Sequence, residues 1–463
     1  MEQEKKQKTV TFDFGHTQLP LSVPHYADIL RMGKAAPLSD PQQKIRNALD
    51  CPFGTLPLKR LIQEKLLANP RAKASVVISD NTRPVPYRGE SGILAPLVRV
   101  MMDAGLSPQN IRLVVATGTH RPMRESELRD MLDPQIFSLG LQIINHDGRK
   151  RKDLVPVGRT EIGGEILINR IYVESDIKIL TGLVESHFMA GASGGRKSIC
   201  PGLLAEASTH ILHSGPILES PDSRDLVLSG NPVHEESLRV ARMAGCDMIL
   251  NVTLDSNFML TGVFAGELEE AHNKAFEKLT SYVAIPFSKK YDLAVSHAGY
   301  VGVNHYQAAK GALIFEPLIK KEGTCVLAAI HTEKDPLGGP NYIKMMSLLR
   351  EMGAEKFNKL IQDPDWEFVP EQWEAQMWTR LFKKTSPEKL IYCSLEIPRE
   401  SFSWIPGTDA RSLLPRANDL RELVENTVAL TCSMLRERLG REPRMSVLPD
   451  GPYGIPVFKE DPA

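Results

Sequence analysis

The chain has 463 residues, with 56 Lys and Arg against 57 Asp and Glu, a formal net charge of -1. Its 42% hydrophobic and 24% charged content is that of an ordinary globular protein. The near-zero balance offers no global field for nucleic acid or an anionic membrane, so neither is expected as a partner and any anion must be held by local Arg and Lys.

Length alone predicts more than one domain. Cys51, Cys200, Cys246, Cys325, Cys393 and Cys432 are scattered without a C-x-x-C pair, which predicts neither a disulfide framework nor a zinc ribbon. The first residues, MEQEKKQKTVTF, lack the apolar core of a signal peptide, and no apolar run is long enough to span a bilayer. A cytoplasmic protein is expected.

In chain order, short apolar runs alternate with helical patterns. Residues 74–78 (ASVVI) end at Ser79-Asp80-Asn81, and residues 111–116 (IRLVVA) end at Thr117-Gly118-Thr119-His120. Between them, residues 92–105 read as an amphipathic helix closed by Gly105. A third run, 177–180, ends at Thr181-Gly182. Strand, helix and strand in this order predict an α/β protein with largely parallel sheets flanked by helices, binding ligands beyond the carboxyl ends of the strands. A second series begins near Tyr291 and continues through 324–330 and 390–395. The expected division is therefore residues 1–280, a cofactor-binding α/β domain, and 281–463, a second α/β domain supplying substrate-binding residues, with the active site in the cleft between them. Residues 445–454 read as a final strand and turn of unknown pairing.

The densest chemistry runs from Glu185-Ser186-His187 through Gly194-Gly195-Arg196-Lys197-Ser198 to His210 and His213. Glycines here let backbone approach a ligand, and Lys197 adds a charge or a nucleophilic amine. The following helix should carry Leu204, Ala207 and Ile211 on one side and stop at Gly215-Pro216. A Walker loop needs glycine directly before its lysine, and Arg196 stands there. A nucleotide-binding phosphotransferase is therefore the alternative reading, and a G-x-G-x-x-G for a soluble dinucleotide is not found. His213 alone could simply sit at a helix C-terminus, and a metal there would need most of its donors from elsewhere. His120 and His187 each follow a strand by a short loop and could act as acid and base. Asp80 could orient a histidine, and Arg83 could grip a carboxylate. Gln307 and Lys310 share a helical face beside Tyr306, and Trp373 could pack or wall a pocket.

Taken together, Ser79-Asp80-Asn-Thr-Arg83-Pro84, Thr117-Gly-Thr-His120, Glu185-Ser-His187, Gly194-Gly195-Arg196-Lys197-Ser198, His213, Gly230-Asn231-Pro232-Val-His234-Glu235, Tyr306-Gln307 with Lys310, and Pro370-Glu-Gln-Trp373 resemble the lactate racemase family. The resemblance implies an isomerase, a racemase or epimerase that inverts C2 of a 2-hydroxy acid. It would do so by proton-coupled hydride transfer to a nickel-pincer nucleotide (pyridinium-3-thioamide-5-thiocarboxylic acid mononucleotide nickel). It implies covalent attachment at Lys197, nickel ligation by His213, and Gly194, Gly195 and Ser198 near the nucleotide phosphate. His120 and His187 would be the acid/base pair supported by Asp80, with Arg83, Tyr306, Gln307, Lys310 and Trp373 binding substrate. Cofactor-biosynthesis proteins would be partners. Cys200 has no assigned role beyond a small buried thiol.

Overall fold

A computed structural model describes residues 7–160, 162 and 164–459. Two compact units emerge: one from Lys34–His213 and Ser220–Tyr282, the other from the described chain up to Gly33 together with Ser214–Glu219 and the chain from Val283 onward. The described residues up to Gly33 were expected with the N-terminal domain; they belong to the other unit. A hairpin of Gln7–Asp13 and Gln18–Pro24 buries Val10, Phe12, Leu21 and Val23 in the same core as Leu423, Val428 and Leu435 of the helix Leu420–Leu439. Asp28–Ile29 then adds a parallel edge to Met445–Val447, which lies between it and Tyr291–His297; this is the pairing of the 445–454 segment that could not be read from sequence.

In the unit containing Lys34–His213, a six-stranded sheet runs Leu260–Gly266, Met248–Leu254, Ile177–Leu183, Ala74–Ser79, Ile111–Ala116, Gln142–Asn145. Every pairing is parallel except that of Met248–Leu254 with Leu260–Gly266. Strand side chains alternate between two cores: Val76, Ile78, Leu113 and Ile179 face one layer, and Val77, Val114 and Leu180 the other. Both layers are apolar, which is why these strands read as near-continuous hydrophobic runs. The helix expected over 92–105 spans Leu94–Asp103, with Leu94, Leu97, Val98 and Met101 buried.

The other unit repeats the plan, with an all-parallel sheet ordered Thr408–Asp409, Leu390–Cys393, Ile319–Ala328, Tyr291–His297, Met445–Val447, Asp28–Ile29. Ala294, Cys325, Leu327 and Tyr392 face one core, while Leu293, Val295, Val326 and Cys393 face the other. Ser214–Glu219 joins this unit through the Gln376 side-chain amide, which donates to the Gly215 carbonyl at 2.7 Å, and Arg380, which donates to the Leu218 carbonyl at 3.0 Å.

One helix departs from expectation. Between Lys197 and His213 the α-helix is confined to Glu206–Leu212, and Leu204 precedes it, bridged to Ile168. Gly215-Pro216 does not stop a helix but opens another, Gly215–Glu219. Proline suits a first helical turn, where its missing N–H has no partner to lose. Among the described residues no helix is long and apolar enough to cross a membrane.

Candidate active site

The strands Ile111–Ala116, Ala74–Ser79 and Ile177–Leu183 are neighbours in the sheet. From Ala74–Ser79 the chain steps outward through Ile111–Ala116 to Gln142–Asn145, then returns to place Ile177–Leu183 on its opposite side. The order therefore reverses between Ala74–Ser79 and Ile177–Leu183, and the loops beyond those two carboxyl ends flank the crevice where parallel α/β sheets hold ligands. Asp80 and Arg83 leave one loop; Glu185 and His187 leave the other. Arg83 and Glu185 join across the gap at 3.1 Å. Beneath them the Tyr87 hydroxyl accepts from the Ser79 amide at 2.8 Å and meets Thr181 Oγ1 at 2.7 Å, tying the two strands together.

Asp80 is 4% exposed, and its Oδ2 accepts from His120 Nδ1 at 2.7 Å. Its Oδ1 accepts from the Thr82 amide and hydroxyl. Burial alone would raise this carboxyl, but the hydrogen bond and charge of His120 and the two bonds from Thr82 outweigh it and hold Asp80 below its ordinary value. A carboxylate can only accept, so His120 carries its proton on Nδ1 and presents Nε2 as a lone pair.

His187 is set the opposite way. Its Nδ1 accepts from the amides of Met189 and Ala190, both at 3.2 Å, which leaves the proton on Nε2. That Nε2 lies 3.1 Å from Lys197 Nζ. Burial, helped by the positive charges of Arg83 and Arg196, lowers the Lys197 ammonium to about 7. A deprotonated lysine accepts a hydrogen bond from that imidazole N–H and is nucleophilic.

The loop that carries Lys197 is held by packing. Gly194 and Gly195 have φ of 74° and 51°, and a Cβ on Gly194 would lie 2.7 Å from Val184 Cγ2. The Gly195 amide donates to Asn251 Oδ1 at 2.7 Å, and the Ser198 hydroxyl donates to the Thr181 carbonyl at 3.0 Å. Both polar hydrogens are thus committed inside the protein. The phosphate contact expected of Gly195 and Ser198 is not offered by these atoms, because a phosphate oxygen needs donors. Asn251, which no sequence motif marks, is the loop's anchor.

His213 Nδ1 donates to the Thr209 carbonyl at 3.1 Å, which makes Nε2 the lone-pair nitrogen. Burial, with the charge of Lys197 adding to it, lowers His213 to about 4 and keeps it neutral. Among the described residues no group of three or more His, Cys, Asp or Glu could hold a metal. His210 therefore does not complete a protein-only site. All six cysteines are free. Cys200 is buried, which pushes its thiol up to about 12 and makes it inert at neutral pH.

In the other unit, the helix His305–Leu313 is capped by Asn304, which accepts from the Gln307 amide at 2.9 Å. Lys310 Nζ donates to Gln307 Oε1 at 2.9 Å, as their three-residue spacing predicts. Trp373 Nε1 donates to the Tyr306 hydroxyl at 2.8 Å, so these two expected substrate readers are bound to each other. Sequence reading passed over Glu374, which is 2% exposed beside the charge of Lys310 and is raised to about 8 by burial. Its position next to Trp373 on the helix Gln372–Phe382 was the only signal.

The lactate racemase N-terminal domain profile matches residues 12–225, and the lactate racemase C-terminal domain profile matches residues 288–405. A lactate racemase of Lactiplantibacillus plantarum is 30% identical over 414 residues, 89% of each chain. One from Thermoanaerobacterium thermosaccharolyticum is 32% identical over 339 residues, 73% of this chain and 76% of that one. The lactate racemase apoprotein structure from the latter organism superposes with a TM-score of 0.82 at 26% identity, covering 98% of this chain and 100% of that one.

Proposed function

Because the chain belongs to the lactate racemase family and is an isomerase, a racemase, we propose that it inverts C2 of a 2-hydroxy acid, with His120 and His187 as the acid/base pair. The single observation that carries this reading is their opposite tautomers: Asp80 leaves His120 a lone pair on Nε2, and two backbone amides leave His187 a proton on Nε2. His120 is set to take the hydroxyl proton on its Nε2, and His187 is set to hydrogen-bond the substrate oxygen through its Nε2–H. Inversion needs that asymmetry, since the group that removes a proton from one enantiomer must not be the group that restores it to the other.

The residues present fit a tethered nickel-pincer nucleotide. Lys197 offers an amine lowered to about 7, and His213 offers one imidazole lone pair, fixed by the Thr209 carbonyl. A metal with one protein donor suits a group that brings its own remaining donors. When bound, that nucleotide supplies a ring able to accept and return the C2 hydrogen as hydride. The chain's own residues do the rest. Lys197 would hold the group covalently and His213 would ligate nickel, while Asp80 keeps His120 in its accepting tautomer. Arg83, Tyr306, Gln307, Lys310 and Trp373 extend the proposal as substrate readers, with the carboxylate matched to the cations.

The test is a chiral assay over a panel of 2-hydroxy acids, using protein co-produced with the cofactor-making enzymes. At least one acid is expected to racemise or epimerise. Intact mass should show an adduct that Lys197→Ala lacks. An active preparation of unmodified mass would refute tethering. Binding of ATP by the unmodified chain, with phosphate transfer, would favour the phosphotransferase alternative.

A further inference from the structure

Behind the Lys197 loop, within the same unit, the Arg196 side chain turns into the protein and is 1% exposed. Its Nη2 donates to the Ala190 carbonyl at 2.8 Å, its Nη1 lies 3.0 Å from His272 Nε2, and its Nε has no partner. The His272 contact is compromised, because the same Nε2 lies 2.8 Å from the Ser193 carbonyl. One ring nitrogen cannot donate to that carbonyl and also accept from the guanidinium. Among the described residues no carboxylate forms an ion pair with Arg196.

A buried cation without a counter-charge is costly, because the guanidinium has given up its hydration without an opposite charge to replace it. Here no internal partner offsets the charge. Arg196 lines a cavity of about 430 Å³ together with His234, His272, Ser229 and Asn273. His234 Nδ1 is a second buried nitrogen without a partner. Burial keeps both imidazoles neutral, and each lies in the positive field of Arg196. Two acids also line the cavity, but Glu269 is bonded to Arg242 and Glu277 to Lys274 at 2.8 Å. Leu238 and Phe276 give the cavity an apolar wall.

We infer that this cavity is a binding site for one small oxyanion, a carboxylate or a phosphate, held by Arg196 with His234 and His272. The anion supplies the missing counter-charge and accepts from the guanidinium N–H groups, and the unpartnered His234 Nδ1 can present an N–H to it. The site is separate from the His120, His187 and Lys197 cluster and does not depend on the function proposed above. Charge nonetheless links the two, because Arg196 is one of the cations that hold the Lys197 amine down. An anion on Arg196 therefore makes Lys197 more basic and a poorer nucleophile.

The experiment is calorimetric titration of the full chain with inorganic phosphate and, separately, with acetate. One anion per chain is expected, and His234→Leu should weaken it by about tenfold, the loss of one good polar contact. Arg196→Gln should abolish binding, and Arg83→Ala should leave it unchanged. Phosphate binding without acetate binding identifies a phosphate ligand, and the reverse a carboxylate. Since Arg196→Gln can unfold the loop, its circular dichroism is compared with wild type, and His234→Leu decides the matter if it differs. Failure of both anions to bind would overturn the inference, as would binding lost in Arg83→Ala and kept in His234→Leu.

Discussion

At the scale of single residues, the lysine amine is the most testable feature. A pKa of about 7 leaves Lys197 deprotonated in roughly half the molecules at neutral pH, against on the order of one in a few thousand for an ordinary lysine. Limiting amine-acylating reagent at pH 7 should therefore modify Lys197 first, as read by peptide mapping. Labelling spread evenly over the exposed lysines would show that its environment is not what burial and Arg83 make it. Asp80 carries the second prediction. Asp80→Asn keeps the shape but lets an amide N–H face His120, which disfavours the Nδ1–H tautomer. Turnover should fall by about 10- to 100-fold with a smaller change in KM, as for other residues that orient a working imidazole. The pH dependence has a defined sign. Asp80 is held below its ordinary value, so its pairing stabilises the fold above the usual carboxylate range and is lost as pH falls through the lowered value. Denaturant unfolding of wild type and Asp80→Asn should differ at neutral pH and converge in strong acid. Sequence exposed these residues because each polar group ends an apolar run. It hid Glu185 as the partner of Arg83 and Asn251 as the anchor of Gly195, because both pairings join segments far apart in the chain.

At the scale of elements, the loop Gly194–Ser198 depends on two backbone conformations that L side chains rarely adopt. Gly194→Ala would combine a positive φ with a Cβ 2.7 Å from Val184 and 2.9 Å from Asn251 Oδ1. A loss of about 1–3 kcal/mol is expected in equilibrium unfolding, with Lys197 displaced from His187 and its selective labelling lost. Unchanged stability and labelling would mean the loop tolerates another path. The strands around the site were legible because they are buried on both faces and so read as short continuous apolar runs bounded by polar residues. The helix after Lys197 was not, since Leu204 continues the apolar spacing of Glu206–Leu212 although its backbone is bridged to Ile168. Gly215-Pro216 misled for a related reason, as glycine and proline punctuate both the end of one helix and the beginning of another.

At the scale of the whole molecule, the parallel α/β plan followed from the alternation of runs, whereas the membership of each unit did not. Phe12 and Phe14 are fully buried, and Asp28–Ile29 is a two-residue edge too short to carry any periodicity. A chain starting at Lys34 is expected to expose the apolar face of Leu420–Leu439, so that limited proteolysis cuts the region after Val283 and spares Lys34–His213. Equal resistance of both regions would show that the N-terminal hairpin is dispensable. The central claim, that paired imidazoles serve an inversion in which the carbon-bound hydrogen never becomes an acidic proton, is met most directly by one measurement. Turnover of a single enantiomer by cofactor-loaded protein in deuterium oxide, with chiral separation and mass analysis of the product, should yield the opposite enantiomer carrying its original hydrogen at C2. Deuterium at C2 of the inverted product would contradict the account.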